Sequence, residues 1–153
     1  MLSTGFLQIY QGGSMWKYYA LLSAVFAAMT AILAKIGLKD INSNLATAIR
    51  TTVILILTWT IVFVSGKAEH FKALSTKSII FLVASGIATG LSWLFYFKAL
   101  QLGDASRVAP IDKLSVVLVV VFGVIFLHEK LTWQLFAGIS CIAAGTIFML
   151  YGK

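Results

Sequence analysis

The chain is expected to be an all-α membrane protein, a bundle of five transmembrane helices. Three observations predict it. Hydrophobic residues make up 60% of the chain and charged residues 11%, far below the roughly 25% charge of soluble domains. Five apolar runs each reach about 20 residues, the length that crosses a bilayer as a helix. The connections between them are short, so no linker separates two domains and no water-soluble domain is interposed.

The first span covers residues 18–36 and follows Lys17. Its apolar stretch is longer than the 7–15 residues of a signal-peptide core, so it reads as a retained helix. Residues 1–14, MLSTGFLQIYQGGS, read as a disordered leader or an upstream start ahead of Met15. The second span covers 44–64 and contains Arg50. The third covers 78–100, with Lys98 near its end. The fourth covers 106–127 and contains Pro110, Asp112 and Lys113. The fifth covers 131–151. In hydrocarbon a backbone must satisfy its own hydrogen bonds, and runs of this length do so as helices. Barrel strands would be shorter and would alternate apolar with polar residues.

Trp16, Tyr18, Tyr19, Trp133 and Tyr151 stand at span ends, where aromatic belts form. Small residues recur at helical spacing. Gly86 and Gly90 form a GxxxG in the third span, and Gly138 and Gly145 do similar work in the fifth. Such stripes let membrane helices approach closely.

Net charge is +7. The basic residues flank apolar segments, so they read as anchors and topology signals, and no nucleic-acid partner is expected. One cysteine, Cys141, leaves no disulfide and no CxxC. His70 and His128 are far apart, and neither a metal site nor a cofactor is expected. No Ser/His/Asp set, metal-ligand cluster or phosphate-binding loop is present, which argues against an enzyme.

Five spans place the two termini on opposite sides. Side A holds the N-terminus, the 65–77 loop and the 128–130 turn; side B holds the 37–43 loop, the 101–105 turn and the C-terminus. Lys17, Lys67, Lys72, Lys77 and Lys130 flank side A. Lys35, Lys39, Lys98, Arg107 and Lys153 flank side B. The count is five against five, and only Arg50 and Lys113, inside spans, tilt it towards side B being cytoplasmic. The positive-inside rule needs an asymmetry to choose an orientation. An even count suits a chain that inserts both ways and pairs with its inverted copy, or one whose topology a partner protein sets.

Arg50, Asp112 and Lys113 share one depth, roughly 9 Å in from side B at 1.5 Å per residue. Intramembrane charges are costly and mark functional sites by default. Asp112 is expected to turn inward to Arg50 while Lys113 snorkels outward. That pairing could be a clamp between helices or part of a solute path. Pro110 falls early in its span, where a missing N–H is tolerated. Hydroxyls at Thr30, Thr47, Thr51, Thr52, Thr58, Ser92 and Ser115 could line a path. So could rings at Trp59, Trp93, Phe95, Tyr96 and Phe97. The candidate pathway residues are Asp112, Lys113, Arg50, Trp59, Trp93 and Ser115. The excess of cations at that depth favours an anionic or zwitterionic solute.

The run GLSWLFYFKALQLGDASRVAPIDKLSVVLVVVFGVIFLHEKLTWQLFAGISCIAAGTIFM, over residues 90–149, resembles the C-terminal part of an EamA domain of the drug/metabolite transporter superfamily. The small-Gly third span, the YFKAL segment, the Ala105-Ser106 turn, Glu129-Lys130-Leu131 and the Gly-containing last span carry the likeness, and Ala27 to Lys35 fits the opening helix. The resemblance covers roughly residues 16–152 and implies one EamA-type repeat unit. Most relatives resemble two fused units. For a single unit, the resemblance implies a homodimer, antiparallel, that moves a small-molecule substrate across the cell (inner) membrane by alternating access. The alternative is a non-transporting membrane subunit that pairs with another membrane protein. Many EamA domains carry a proline near the position of Leu114-Ser115. Here that proline is missing, and Asp112 and Lys113 stand in the region instead.

Overall fold

The computed structural model describes residues 3–69 and 74–151, with the backbone alone given for 3–14. It contains α1 (Ser3–Gly37), α2 (Ser43–Val64), α3 (Thr76–Leu102), α4 (Ala105–Asp112), α5 (Leu114–Phe126) and α6 (Trp133–Tyr151). Five segments are long and apolar enough to cross a membrane: Met15–Gly37, Ser43–Val64, Thr76–Leu102, Ala105–Phe126 and Trp133–Tyr151. These are the five expected spans, with ends shifted by three residues at most. The expected leader falls on residues 1–14, whose side chains lie outside the described residues. The backbone is helical from Ser3. His70 and Lys72 of the longest loop and Lys153 also lie outside them.

Local chemistry sets the helix ends. Asn42 caps α2, its Oδ1 accepting from the Asn44 N–H at 2.9 Å. Ser75 caps α3 by accepting from the Ser78 N–H at 3.1 Å. Gly103 ends α3, its N–H donating to the Ala99 carbonyl at 2.8 Å. The connection after α2 turns at Gly66, whose φ of +66° suits a residue without a Cβ. α5, with the sequence LSVVLVVVFGVIF, is rich in β-branched residues that favour strands in water. In hydrocarbon an unpaired backbone group is far costlier than that preference, so the segment is a helix.

The helices pack as an open chain of contacts. α2 lies against α3, α3 touches α1 and α4, α4 touches α1, and α6 packs on α4 and α5. The buried centre is small and sits near side B. It consists of Leu38, Phe97 and Leu100, with Ala34, Ala46, Trp93, Tyr96, Ala105 and Val108 packed around it. Polar ties reinforce the same end. Lys35 Nζ donates to the carbonyls of Leu100 (2.7 Å) and Gly103 (2.8 Å). Gln101 Nε2 donates to the Ile41 carbonyl at 3.0 Å. Lys35, a flank charge by sequence, also stitches α1 to the last turn of α3.

Most apolar side chains face outward, as lipid-facing residues do; Val64 is 84% exposed and Phe148 81%. The expected glycine faces are open too. A Cβ placed on Gly86, Gly90, Gly138 or Gly145 would meet nothing within 4 Å beyond the backbone of its own helix turn. Each glycine thus has free space before it, and Gly145 borders a cavity shared with α1 and α4.

Candidate functional site

The fourth span is broken where its charges lie. α4 stops at Asp112 and α5 starts at Leu114, with Lys113 between them. Pro110 is the sixth residue of α4 rather than a member of its first turn, so its position is not the innocuous one expected. Its ring removes the N–H that would bond to Ser106 and crowds the preceding turn. Below it the ladder tightens. The Lys113 N–H reaches the Pro110 carbonyl at 3.0 Å and the Ala109 carbonyl at 3.3 Å, and the Val116 N–H reaches the Lys113 carbonyl at 3.0 Å. The break thus arises without a proline at Leu114 or Ser115. A neighbouring helix supports it: Thr146 of α6 is buried, and its hydroxyl donates to the Pro110 carbonyl at 3.4 Å. Irregular backbone at membrane depth persists when neighbours satisfy its polar groups or when it borders a cavity.

Both conditions hold here. A half-open chamber of about 190 Å³ lies beside the break, lined by Ala27, Thr30, Arg50, Ser92, Trp93, Tyr96, Asp112 and Lys113. At a liquid share of about 30 Å³ per water, that is room for about six water molecules or a small solute. α1, α2, α3 and the break in the fourth span each contribute side chains. Arg50 and Asp112, each the eighth residue of its helix, both line this one space.

The pairing inside the chamber differs from the expectation. Asp112 does not clamp Arg50. Its Oδ2 lies 3.3 Å from Lys113 Nζ, and this is the one ion pair among the described residues. The cause is local. Adjacent residues on a regular helix diverge, but Lys113 stands at the break and its long side chain reaches its neighbour. Arg50 instead lies over two rings, with its guanidinium carbon 4.5 Å from the Trp93 centroid and 5.1 Å from that of Phe97. Cation–π contact of this kind contributes about 0.5–2 kcal/mol, more when water is excluded.

Four of the six candidate pathway residues therefore meet: Arg50, Trp93, Asp112 and Lys113. Two do not. Trp59 is 43% exposed and stacks on Phe63 at 5.5 Å, on the outer surface of α2. Ser115 is exposed and lies outside the chamber lining. Of the hydroxyls and rings considered, Thr30, Ser92 and Tyr96 reach the chamber. Ala27 and the supporting Thr146 were not singled out. A small residue and a lone hydroxyl in apolar spans give no sequence signal. Among the described residues, no three His, Cys, Asp or Glu side chains gather to hold a metal ion.

Comparison with known proteins places the chain in a family. The profile of the EamA-like transporter family matches residues 14–151. A Sinorhizobium protein described as an uncharacterized transporter in the cobO 3′ region is 52% identical over 134 residues, covering 88% of this chain and 95% of the relative. Human solute carrier family 35 member G1 is 30% identical over 146 residues, covering 95% of this chain and 39% of the relative. An uncharacterized transporter of Archaeoglobus fulgidus is 27% identical over 143 residues, covering 93% of this chain and 50% of the relative. No solved structure matches. With a family profile spanning nearly all of a chain that carries five membrane-crossing helices, the protein is a multi-pass membrane protein and belongs to the EamA-like transporter family.

Proposed function

We propose that the protein is a secondary transporter that moves a small metabolite across the cell (inner) membrane by alternating access, as an antiparallel homodimer. The observation that carries this reading is the polar chamber beside the broken fourth span. Transporter sites form at such discontinuities, where freed backbone and intramembrane charges border a cavity. The polar side-chain ties of Lys35 and Gln101 between helices lie at side B, which suits a carrier that moves at its other end.

Three features support a second copy. The chain spans half the length of its Archaeoglobus relative and nearly the whole of its Sinorhizobium relative. The Gly86/Gly90 face is open within one chain, and GxxxG faces pair membrane helices. The flanking charge is five against five, which suits insertion in both orientations.

Transport is tested without prior choice of substrate. Purified protein is reconstituted into vesicles loaded with a mixed small-metabolite extract, and the outer solution is followed by mass spectrometry. At least one solute should leave faster than from protein-free vesicles. The same solute outside should accelerate its own exit, as a carrier requires and a pore does not. Ala27→Trp, which fills the chamber, should abolish the release. Release no faster than from protein-free vesicles would reject the transport reading.

The dimer has its own test. Tags at the two chain ends should each be found on both sides of the membrane in intact cells. Gly90→Leu should convert the detergent-solubilised dimer to a monomer with unchanged helicity, because the site is open within one chain. A single orientation would reject the antiparallel arrangement, and an unaffected dimer would remove the Gly90 face from the interface.

A further inference from the structure

We infer that the chamber receives a small monoanion, a monocarboxylate carrying a neutral polar group such as a hydroxyl. The inference rests on the transport reading and names the class of solute that the chamber would hold.

Charge is the first argument. The chamber carries Arg50, Lys113 and Asp112. Lys113 and Asp112 neutralise each other at 3.3 Å, and no other ion pair occurs among the described residues. The remaining net charge is that of Arg50. A lone charge at this depth is costly unless a counter-charge meets it. One negative charge makes the chamber neutral. A dianion would leave an excess negative charge, and a zwitterion would leave Arg50 uncompensated unless its ammonium displaced Lys113 from Asp112.

Geometry is the second. The Arg50 guanidinium lies over Trp93 and Phe97 and donates no hydrogen bond to the protein among the described residues. No buried side-chain nitrogen or oxygen lacks a partner, so its unpaired N–H groups are accessible, and Arg50 lines the chamber. A guanidinium offers its donors as a planar fork that matches a carboxylate in two parallel bonds.

The hydroxyls are the third. Thr47, Thr51 and Thr89 each donate to the carbonyl four residues back in their own helix. The chamber hydroxyls of Thr30, Ser92 and Tyr96 make no such bond among the described residues. They are free to meet a hydroxyl or similar group on the solute.

The test uses Trp93 as the reporter, with Trp16→Phe, Trp59→Phe and Trp133→Phe removing the other tryptophans. Purified protein is titrated with four small probes: lactate, lactamide and alanine, which are alike in size, and the larger dianion malate. Lactate should shift the Trp93 emission saturably and bind at least about tenfold more tightly than the neutral amide, the zwitterion or the dianion. Arg50→Gln should abolish the lactate response, while Arg50→Lys, which keeps the charge and loses the fork, should retain a weakened one. The ligand comparison requires no change at Arg50, so it stands if that variant fails to fold.

Equal binding of lactate and lactamide would overturn the inference, as would tighter binding of alanine or malate, no saturable lactate response, or a folded Arg50→Gln protein that binds lactate normally. Vesicle release of some other solute together with any of these results would leave the transport reading standing and remove only the monoanion.

Discussion

Replacing Lys35 with methionine is expected to destabilise the protein by about 3 kcal/mol, measured by unfolding of the purified protein in detergent or bicelles. Hydrogen bonds to charged groups contribute roughly 1.5–3 kcal/mol each, and Lys35 makes two, to the carbonyls of Leu100 and Gly103. Partial burial reduces each contribution. Loss at the Leu100 carbonyl counts more, because Leu100 is 0% exposed and no water replaces the lysine. The last carbonyls of a helix have no partner within that helix, and Lys35 supplies one from α1. Methionine keeps the apolar stem and removes only the donor. Lys39→Met, on the exposed connection nearby, should change stability by less than about 0.5 kcal/mol, the usual effect at an exposed site. Equal effects at the two lysines would reduce Lys35 to a flanking charge.

The contrast between these lysines shows what the sequence could and could not reveal. The five spans were legible because hydrocarbon imposes a simple rule: about 20 apolar residues, helical, with charges at the flanks. The rotation of each helix was not. In water an amphipathic pattern reveals the buried face, but here lipid and protein interior are both apolar. Trp59 and Trp93 therefore looked alike, although one faces outward and the other lies under Arg50. The shared depth of Arg50 and Asp112 is an inference from counting residues; in the structure both line the chamber. Their partners do not follow from that count, because pairing depends on which way each helix turns and on the break at Lys113. Pro110 was visible, yet its consequence depends on where α4 begins and on Thr146, 36 residues away. The glycine spacing was visible as well, but spacing does not say whether the surface that meets a stripe belongs to the same chain.

Leu100→Ala is expected to cost about 2 kcal/mol, and Leu82→Ala on the same helix less than about 0.5 kcal/mol. In water-soluble cores the Leu→Ala change costs about 2–5 kcal/mol, combining lost transfer energy with a residual cavity. In a bilayer the transfer part shrinks, because leucine leaving the protein enters lipid tails as apolar as itself. What remains is lost packing and the cavity, which sets the value at the low end. Leu100 is 0% exposed and sits with Leu38 and Phe97 in the buried centre, so it leaves such a cavity. Leu82 is 63% exposed, and lipid fills the space its side chain vacates. Phe97 connects this centre to the chamber, because it packs with Leu100 on one side and lies under Arg50 on the other. Leu100→Ala should therefore also loosen the guanidinium platform and weaken lactate binding severalfold, although Leu100 does not line the chamber. Leu82→Ala should leave that binding unchanged. Equal stability losses at Leu82 and Leu100 would contradict a packing centre near side B. A stability loss at Leu100 with unchanged lactate binding would show that Arg50 is held by Trp93 alone.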